Sequence, residues 1–235
     1  MAQKVGNAKN ILVGASPLFI SNTDSTDGTN YVDNAEPGST AAAAFVSGTS
    51  YTSTLNGVTS GSFYYRNVGY TNNGLQITYN PTYGSVTVDQ LLDTAKLFKE
   101  SMEVMIATEM TEGTLENVLT VFGQGASTLT AETGFSTGTV NKTKTLGLAA
   151  GALGVAPTER QLIAVGQAPT TTDGDNSKTT ERVYYARRVL SVQQSQFSLA
   201  RNTPTTFPVT FRLLPSGDTA YAGQEYGKII DRILA

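Results

Sequence analysis

The sequence predicts a mainly β protein with one short helix, long loops and terminal arms. Gly and Thr are abundant and only 15% of the 235 residues are charged, a composition that suits strands and turns better than helices. Several segments alternate apolar and polar residues with the two-residue period of a strand. A helical period is clear in only one of them.

The composition also excludes several kinds of chemistry. The chain contains no Cys, no His and no Trp, so it has no disulfide, no thiolate metal site and no Ser–His–Asp or Cys–His catalytic arrangement. Acidic loops near residues 22–28 and 173–184 do not fit the spacing of an EF-hand. The sequence therefore predicts a protein that is not an enzyme and that needs neither a cofactor nor a metal.

The length of the chain limits how many domains it can form, and its charge and apolar runs indicate where it is located. The chain is long enough for one large β-domain or two small ones. Its net charge of −3 provides no overall basic footprint for nucleic acid. The sequence shows neither a membrane-spanning apolar run nor the apolar core of a signal peptide, so we expect synthesis in a cytoplasm and no membrane partner.

The first sixty residues predict an arm, two short strands and a long loop. Residues 1–9 are polar and form the expected N-terminal arm. Residues 10–20 are apolar but interrupted by Gly14 and Pro17, which indicates a strand, a break and a second strand. Residues 21–62 are rich in Ser, Thr, Asn and Gly and too long for an ordinary connection. They indicate a functional loop, a disordered loop or an extended hairpin that reaches a neighbour.

The next segment predicts sheet with two interruptions. Strand character resumes at residues 63–70, and the Asn-Asn-Gly sequence at 72–74 is a turn signal. Residues 75–88 alternate, with a predicted break at 81–84. Residues 89–99 fit two interpretations equally well: a helix capped by its first residue, or an irregular strand.

Residues 100–124 combine a strand with a helix. Residues 101–110 alternate, which predicts a strand with one dry face and one wet face. The dry face carries Met102, Val104, Ile106 and Met110, and the wet face carries Ser101, Glu103, Ala107 and Glu109. From Thr114 the period becomes helical, and Gly123 ends the helix. The predicted apolar stripe of this helix consists of Leu115, Val118, Leu119 and Phe122.

The last third is again predicted to be sheet. Residues 161–165 form a short strand and residues 182–197 the longest β-like stretch. Residues 206–213 alternate, with Phe207, Val209, Phe211 and Leu213 directed inward. Residues 220–235 are the expected C-terminal arm, whose apolar end requires a docking surface.

Charge is unevenly distributed along the chain. Acids dominate the middle, whereas basic residues cluster in the last third. The candidate basic stretch consists of Arg182, Arg187, Arg188 and Arg201. Both groups can be ordinary solvated faces. Alternatively, the basic stretch of one subunit meets the acidic stretch of the next in an oligomer.

Four segments resemble the major tail tube proteins of long-tailed bacteriophages. Residues 102–122, with Ala-Thr-Glu-Met-Thr-Glu-Gly-Thr-Leu-Glu-Asn-Val-Leu, are similar to that family's strand–"E-x-T-L-E-N-L"–helix segment. Residues 10–20 resemble its opening strand, residues 65–88 its next segment and residues 203–213 its closing strand. The long loops between these segments match no part of the pattern.

The resemblance implies a single domain over residues 1–235, folded as a β-sandwich or partial barrel with one short helix packed on it. Six copies would form a ring, with a lumen-facing sheet shared around it, and rings would stack into a hollow tube. The loop at 21–62 and both terminal arms would bridge rings. The implied location is the virion tail, assembled in the host cytoplasm.

The implied partners are further copies of the chain, the tape measure, tail terminator and distal tail proteins, and DNA in transit without sequence-specific binding. We expect Ser101, Glu103, Ala107 and Glu109 to line the lumen. Acidic side chains there would let DNA slide, since a basic wall would hold its phosphates. The alternatives are a carbohydrate-binding or adhesive β-sandwich module and the tube protein of a contractile injection system.

Overall fold

The structure is a computed structural model that describes most of the chain from residue 64 onward. The described residues are 14, 16–21, 51–52, 64–90, 93–151, 153–154, 157–169, 179–193, 195–199, 201–217 and 219–234. The expected N-terminal arm at 1–9 and nearly all of the loop at 21–62 lie outside this part of the chain.

Within the described residues the chain forms eleven strands and one α-helix. The strands are β1 (Leu18–Ser21), β2 (Tyr51–Thr52), β3 (Tyr64–Asn67), β4 (Thr71–Thr87), β5 (Thr94–Met110), β6 (Leu129–Ala131), β7 (Lys144–Leu146), β8 (Arg160–Gln167), β9 (Thr179–Ser191), β10 (Phe207–Leu213) and β11 (Gly227–Leu234). The helix α1 spans Leu115–Val121. Nine strands make one antiparallel sheet in the order β2-β3-β1-β8-β9-β10-β5-β4, with β11 also paired to β9, while β6 and β7 pair separately.

The large sheet encloses its core between two layers. One layer contains β1, β8 and β9, and the other contains β4, β5 and β10. Leu162 and Ala186 from the first layer belong to the same buried cluster as Ile106 and Phe211 from the second. Val121 brings α1 into this cluster. The predicted class, mainly β with a sandwich-like core and one short helix packed on it, is confirmed.

The two most regular alternation patterns are also confirmed. On β5, Val104, Ile106 and Met110 are buried. On β10, the four residues predicted to point inward are buried, and the residues between them are not. Strand β8 differs because both of its faces are covered: Ile163 belongs to a second buried cluster on the side away from Leu162.

Two predicted interruptions of β4 are wrong. Asn73 and Gly74 do have positive φ angles of 61° and 68°, but the chain does not reverse there. The register with β5 shifts between Asn72 and Gln76 and pairing then resumes, so the signal marks a β-bulge. Strand pairing also continues through Pro81, which an edge strand tolerates because its outer side needs no donor.

Of the two interpretations of residues 89–99, the strand is correct and the helix is wrong. A turn lies at residues 89–90, and β5 begins at Thr94. Strands β4 and β5 have 17 residues each and β9 has 13, so the prediction that residues 182–197 form the longest strand is wrong.

The helix forms where predicted but presents a different side to the sheet. The Thr114 hydroxyl accepts a hydrogen bond from the Asn117 amide at 3.3 Å, and Gly123, at φ 64°, follows its last turn. The fully buried helical side chains are Asn117, Leu119, Thr120 and Val121. The predicted stripe is therefore corrected: Phe122 is 37% exposed, because Asn117 occupies the centre of the buried side.

Candidate assembly surface

The wet face of β5 exists as expected and belongs to a wider polar surface. Ser101 is exposed, and Glu103, Ala107 and Glu109 are partly buried. The neighbouring strands extend the surface through their paired residues, since Asn80 lies opposite Glu103 and Thr210 lies opposite Ala107. The full set of wet-face residues on β5 is Ser101, Glu103, Met105, Ala107 and Glu109.

This surface is less acidic than the sequence suggests. An Arg212 guanidinium nitrogen lies 3.7 Å from a Glu103 carboxylate oxygen, with both side chains partly exposed. The Glu109 carboxylate accepts a weak hydrogen bond of 3.4 Å from the Asn72 side-chain amide. Placing Arg212 beside Glu103 requires the β10–β5 pairing, which no local sequence signal provides. The surface is polar, and Arg212 offsets part of the charge of its two acids.

The basic stretch is largely engaged within its own subunit. Arg182 on β9 makes a two-pronged ion pair with Asp231 on β11, with nitrogen–oxygen distances of 2.6 and 2.7 Å. Its hydrogen bond holds the pKa of Asp231 below the usual range. Arg188 makes a similar pair with Glu159, at 2.7 Å for both bonds, and also donates to the Pro215 carbonyl at 2.9 Å.

Arg187, predicted to belong to an inter-subunit basic stretch, lies in the interior of its own subunit. It has no exposed surface, and its guanidinium lies 3.7 Å from the centre of the Tyr221 ring. Its Nε donates to the Gln224 carbonyl at 3.1 Å. Arg201 is exposed, and it alone of the four combines exposure with a position outside the strands. The acids Asp231 and Glu159, which pair with Arg182 and Arg188, thus come from the last third.

The end of the predicted C-terminal arm docks on the chain itself. Strand β11 pairs with β9 from Gly227 opposite Ala186 to Leu234 opposite Thr179. A Cβ at Gly227 would lie 1.9 Å from the Tyr185 carbonyl oxygen, so only glycine allows this close approach. The tail therefore docks on β9 through backbone pairing and packs Ile230 against the second buried cluster, while Ile229 and Ile233 stay exposed.

A long β-hairpin projects from the sandwich. Residues 105–110 of β5 pair with β10 on one side and β4 on the other, whereas residues 94–104 pair with β4 alone among the described strands. We call residues 78–87 and 94–104 the hairpin arm. Apolar side chains are exposed along it and beside it: Ile77, Tyr79, Tyr83, Val86, Leu97 and Phe98.

Strand β4 is also an edge of the large sheet. In the described part of the chain no strand pairs with its outer side, although it is 17 residues long. Natural sheet edges are usually short, covered or heavily charged, since an open edge pairs readily with another chain. An edge of this length beside exposed apolar residues is suited to self-association.

Comparisons with known proteins do not assign the chain to a family. No family model matches it, and no curated protein matches it. Within the described ranges, no helix is both long enough and apolar enough to cross a membrane. Among the same residues, no three Asp or Glu side chains come together as metal ligands.

Proposed function

We propose that this protein is the structural subunit of a bacteriophage tail tube, which assembles as hexameric rings stacked into a hollow conduit for DNA entering the host. The observation that carries the proposal is the open 17-residue edge of β4 next to a polar sheet face. A dispersed monomer would leave this edge exposed, whereas a ring of copies covers it. A head-to-tail contact that closes by rotation makes a ring, and stacking such rings makes a filament.

The polar surface around β5 supports its use as the lumen lining. It carries Glu103 and Glu109 together with Arg212, which lies beside Glu103. It therefore offers no dense row of basic side chains to the phosphates of DNA. A wall of this kind releases few counterions from DNA and therefore holds it weakly. DNA can then pass without sequence-specific contacts.

The resemblance of residues 102–122 to tail tube proteins adds support from the sequence. On this proposal the other partners are the tape measure, tail terminator and distal tail proteins, and the location is the virion tail after assembly in the host cytoplasm. The tube of a contractile injection system is a close variant of the same role.

A second candidate function is a carbohydrate-binding or adhesive module. It is favoured by the exposure of Tyr70, Tyr79 and Tyr83, because tyrosine rings can stack on sugars. The two functions differ in what the purified protein does. Negative-stain images that show hollow rings or tubes support the tube subunit, whereas dispersed monomers that bind glycans support the module and overturn the tube.

A charge-reversal experiment tests the lumen lining. We expect Glu109→Lys, alone and combined with Glu103→Lys, to leave tubes intact but to slow DNA delivery by the phage. Glu132→Lys is the control, because Glu132 is exposed outside the β5 surface and, like Glu109, accepts a hydrogen bond from an amide, at 3.3 Å from Thr143. Infectivity equal to that of the control would place Glu109 away from the DNA path.

A further inference from the structure

An apolar cleft opens where the hairpin arm leaves the sandwich. Strand β10 joins β5 to β9 only as far as Leu213, and beyond that point β11 takes the place beside β9. The gap between the layers is about 400 Å³. Its walls are formed by Ile77, Tyr79 and Val104 on one side and by Tyr184 and Ile229 on the other.

The tip of the hairpin arm, residues 83–86 and 96–99, exposes apolar side chains on both faces, with Lys96 and Lys99 among them. The register places Tyr83 opposite Lys99 and Ser85 opposite Leu97 on the face that continues from the core. The opposite face carries Val86 and Phe98, in agreement with the pairing of Gly84 with Phe98. A strand pair with one wet face would not need this pattern. Apolar side chains on both faces of the tip are fully covered only when the tip lies between two apolar walls.

The tip cannot reach the cleft of its own subunit. The cleft is lined by Ile77 at the base of the arm, and Val86 lies nine residues further along the same strand. At about 3.3 Å per residue this separation is roughly 30 Å. The pairing of β4 with β5 runs along the whole arm, with register shifts between Thr82 and Tyr83 and between Val86 and Thr87, and it keeps the arm extended. If the tip occupies a cleft of this kind, the cleft must therefore belong to another copy of the chain.

The acidic turn that ends the arm and the lysine that lines the cleft have opposite charges, while Lys96 and Lys99 add positive charge to the strands of the arm. Asp89 and Asp93 are exposed at the turn that ends the arm, and Lys228 lines the cleft. Opposite charges at the rim of an apolar contact help to orient two partners. Both halves of the contact lie on one chain, and they are different surfaces. This is the requirement for a head-to-tail interface, which closes into a ring or extends as a filament.

We propose that the tip of the hairpin arm of one copy seats in the apolar cleft of a second copy. The inference rests on the proposed function for the nature of the assembly, and it specifies which surfaces two subunits use. The contact would cover the exposed side chains of Tyr83, Leu97 and Phe98 together with the apolar residues that line the cleft.

Cross-linking tests the contact directly, because the natural chain has no cysteine. Two single variants, Phe98→Cys and Ile229→Cys, are mixed in equal amounts, allowed to assemble and then oxidised. A disulfide between the two variants can only join different copies. We expect this mixed dimer, identified by mass spectrometry, to exceed several-fold the mixed dimer of Phe98→Cys with Val140→Cys, where Val140 is an exposed residue outside the cleft.

The contact and the tube function can fail separately. Tubes in electron micrographs without excess of the Phe98→Cys/Ile229→Cys dimer would overturn the contact and leave the tube function standing. Excess mixed dimer in a protein that makes no rings or tubes would support the contact and overturn the tube function. As a second measurement, the I229C thiol should react with a maleimide at least tenfold more slowly after assembly. Equal rates would mean that a second copy does not fill the cleft.

Discussion

The two halves of β5 share one strand and one alternation pattern but lie in opposite environments. Residues 105–110 are held between β4 and β10, and their dry face packs into the core. Among the described strands, residues 94–104 pair only with β4, and side chains on both faces are exposed from 94 to 101. Alternation therefore specifies which side chains share a face. Whether that face is buried depends on a second layer that lies far away in sequence.

One cross-strand pair shows the contrast within a single position of the sheet. Ile77 and Ile106 lie directly opposite each other on β4 and β5 and share the dry face. Ile106 is 3% exposed and Ile77 is 43% exposed. The difference arises because Ile106 has β10 beside it, whereas Ile77 lies on the open edge strand.

The largest effect is expected from this isoleucine pair. Ile106→Ala should lower the free energy of unfolding by about 2–4 kcal/mol, because it removes apolar contacts and leaves a cavity. Ile77→Ala should lower it by less than about 1 kcal/mol in the dispersed subunit, since the side chain is already partly in water. Urea denaturation measures both. Equal losses would show that the edge and interior positions are equally covered, which contradicts the comparison.

Asn117 on the helix tests how much a buried polar side chain contributes to stability through its hydrogen bonds. Asn117 is fully buried and donates to the carbonyls of Val68 and Glu112 at 2.8 and 2.9 Å, and it accepts from Arg66 at 2.6 Å. Asn117→Ala should therefore cost about 2–3 kcal/mol of stability, since it leaves these groups without their partner.

Asn80, exposed on the hairpin arm, is the matched control for this experiment. Asn80→Ala should change the free energy of unfolding by less than about 0.5 kcal/mol. A stable Asn117→Ala variant would mean that the helix is held to the sheet mainly by its apolar residues, as the periodicity of the sequence suggests.

The hairpin arm should separate stability from assembly. Leu97→Asp is expected to change the stability of the dispersed subunit by less than about 0.5 kcal/mol, because the residue is exposed. The same change should raise the concentration needed for assembly at least tenfold, which light scattering measures. Leu148→Asp is the control, at an exposed residue outside the strands. If the two variants assemble alike, the arm makes no contact between copies.

The smallest effect concerns the attachment of the β6–β7 hairpin to α1. Lys144 forms an ion pair with Glu116 on the helix. Burial acts to raise the pKa of Glu116, but the hydrogen bond and charge of Lys144 outweigh it and hold the pKa below the usual range. A carboxyl whose pKa is lowered by folding stabilises the protein above its unfolded pKa of about 4.3, and this contribution is lost as the pH falls through the folded value.

Glu116→Gln should accordingly reduce stability by less than about 1 kcal/mol at pH 7, because both side chains are partly exposed. The difference between the variant and the natural protein should disappear at a pH below the folded pKa. Glu132→Gln, on the same hairpin, controls for the loss of one exposed charge. A difference that persists unchanged in acid would rule out the ion pair as its cause.

Local patterns in the sequence predict much of the sheet but not its connections. The alternation on β5 and β10 is read correctly because a strand places successive side chains on opposite faces whatever surrounds it. The Asn-Asn-Gly signal at 72–74 is misread because positive φ angles serve a bulge as well as a turn. The helix stripe is misread because hydrogen bonds bury the polar Asn117.

The candidate assembly surface also combines features that the sequence predicts with features that it does not predict. The common face of Glu103, Ala107 and Glu109 follows from the two-residue period alone. The neutralising Arg212, the interior position of Arg187 and the cleft between the layers do not, since each depends on strands that meet only in the folded chain.

By itself, the sequence determined the mainly β class, the wet and dry faces of β5 and the position of one short helix, because these depend on side-chain period and local capping. Only the tertiary structure decided that β4 and β5 form one projecting hairpin, that β11 docks on β9 and that Arg182 and Arg188 pair within their own subunit. The physical reason is that burial and ion pairing depend on which distant strands become neighbours. That order is set by the packing of the whole core.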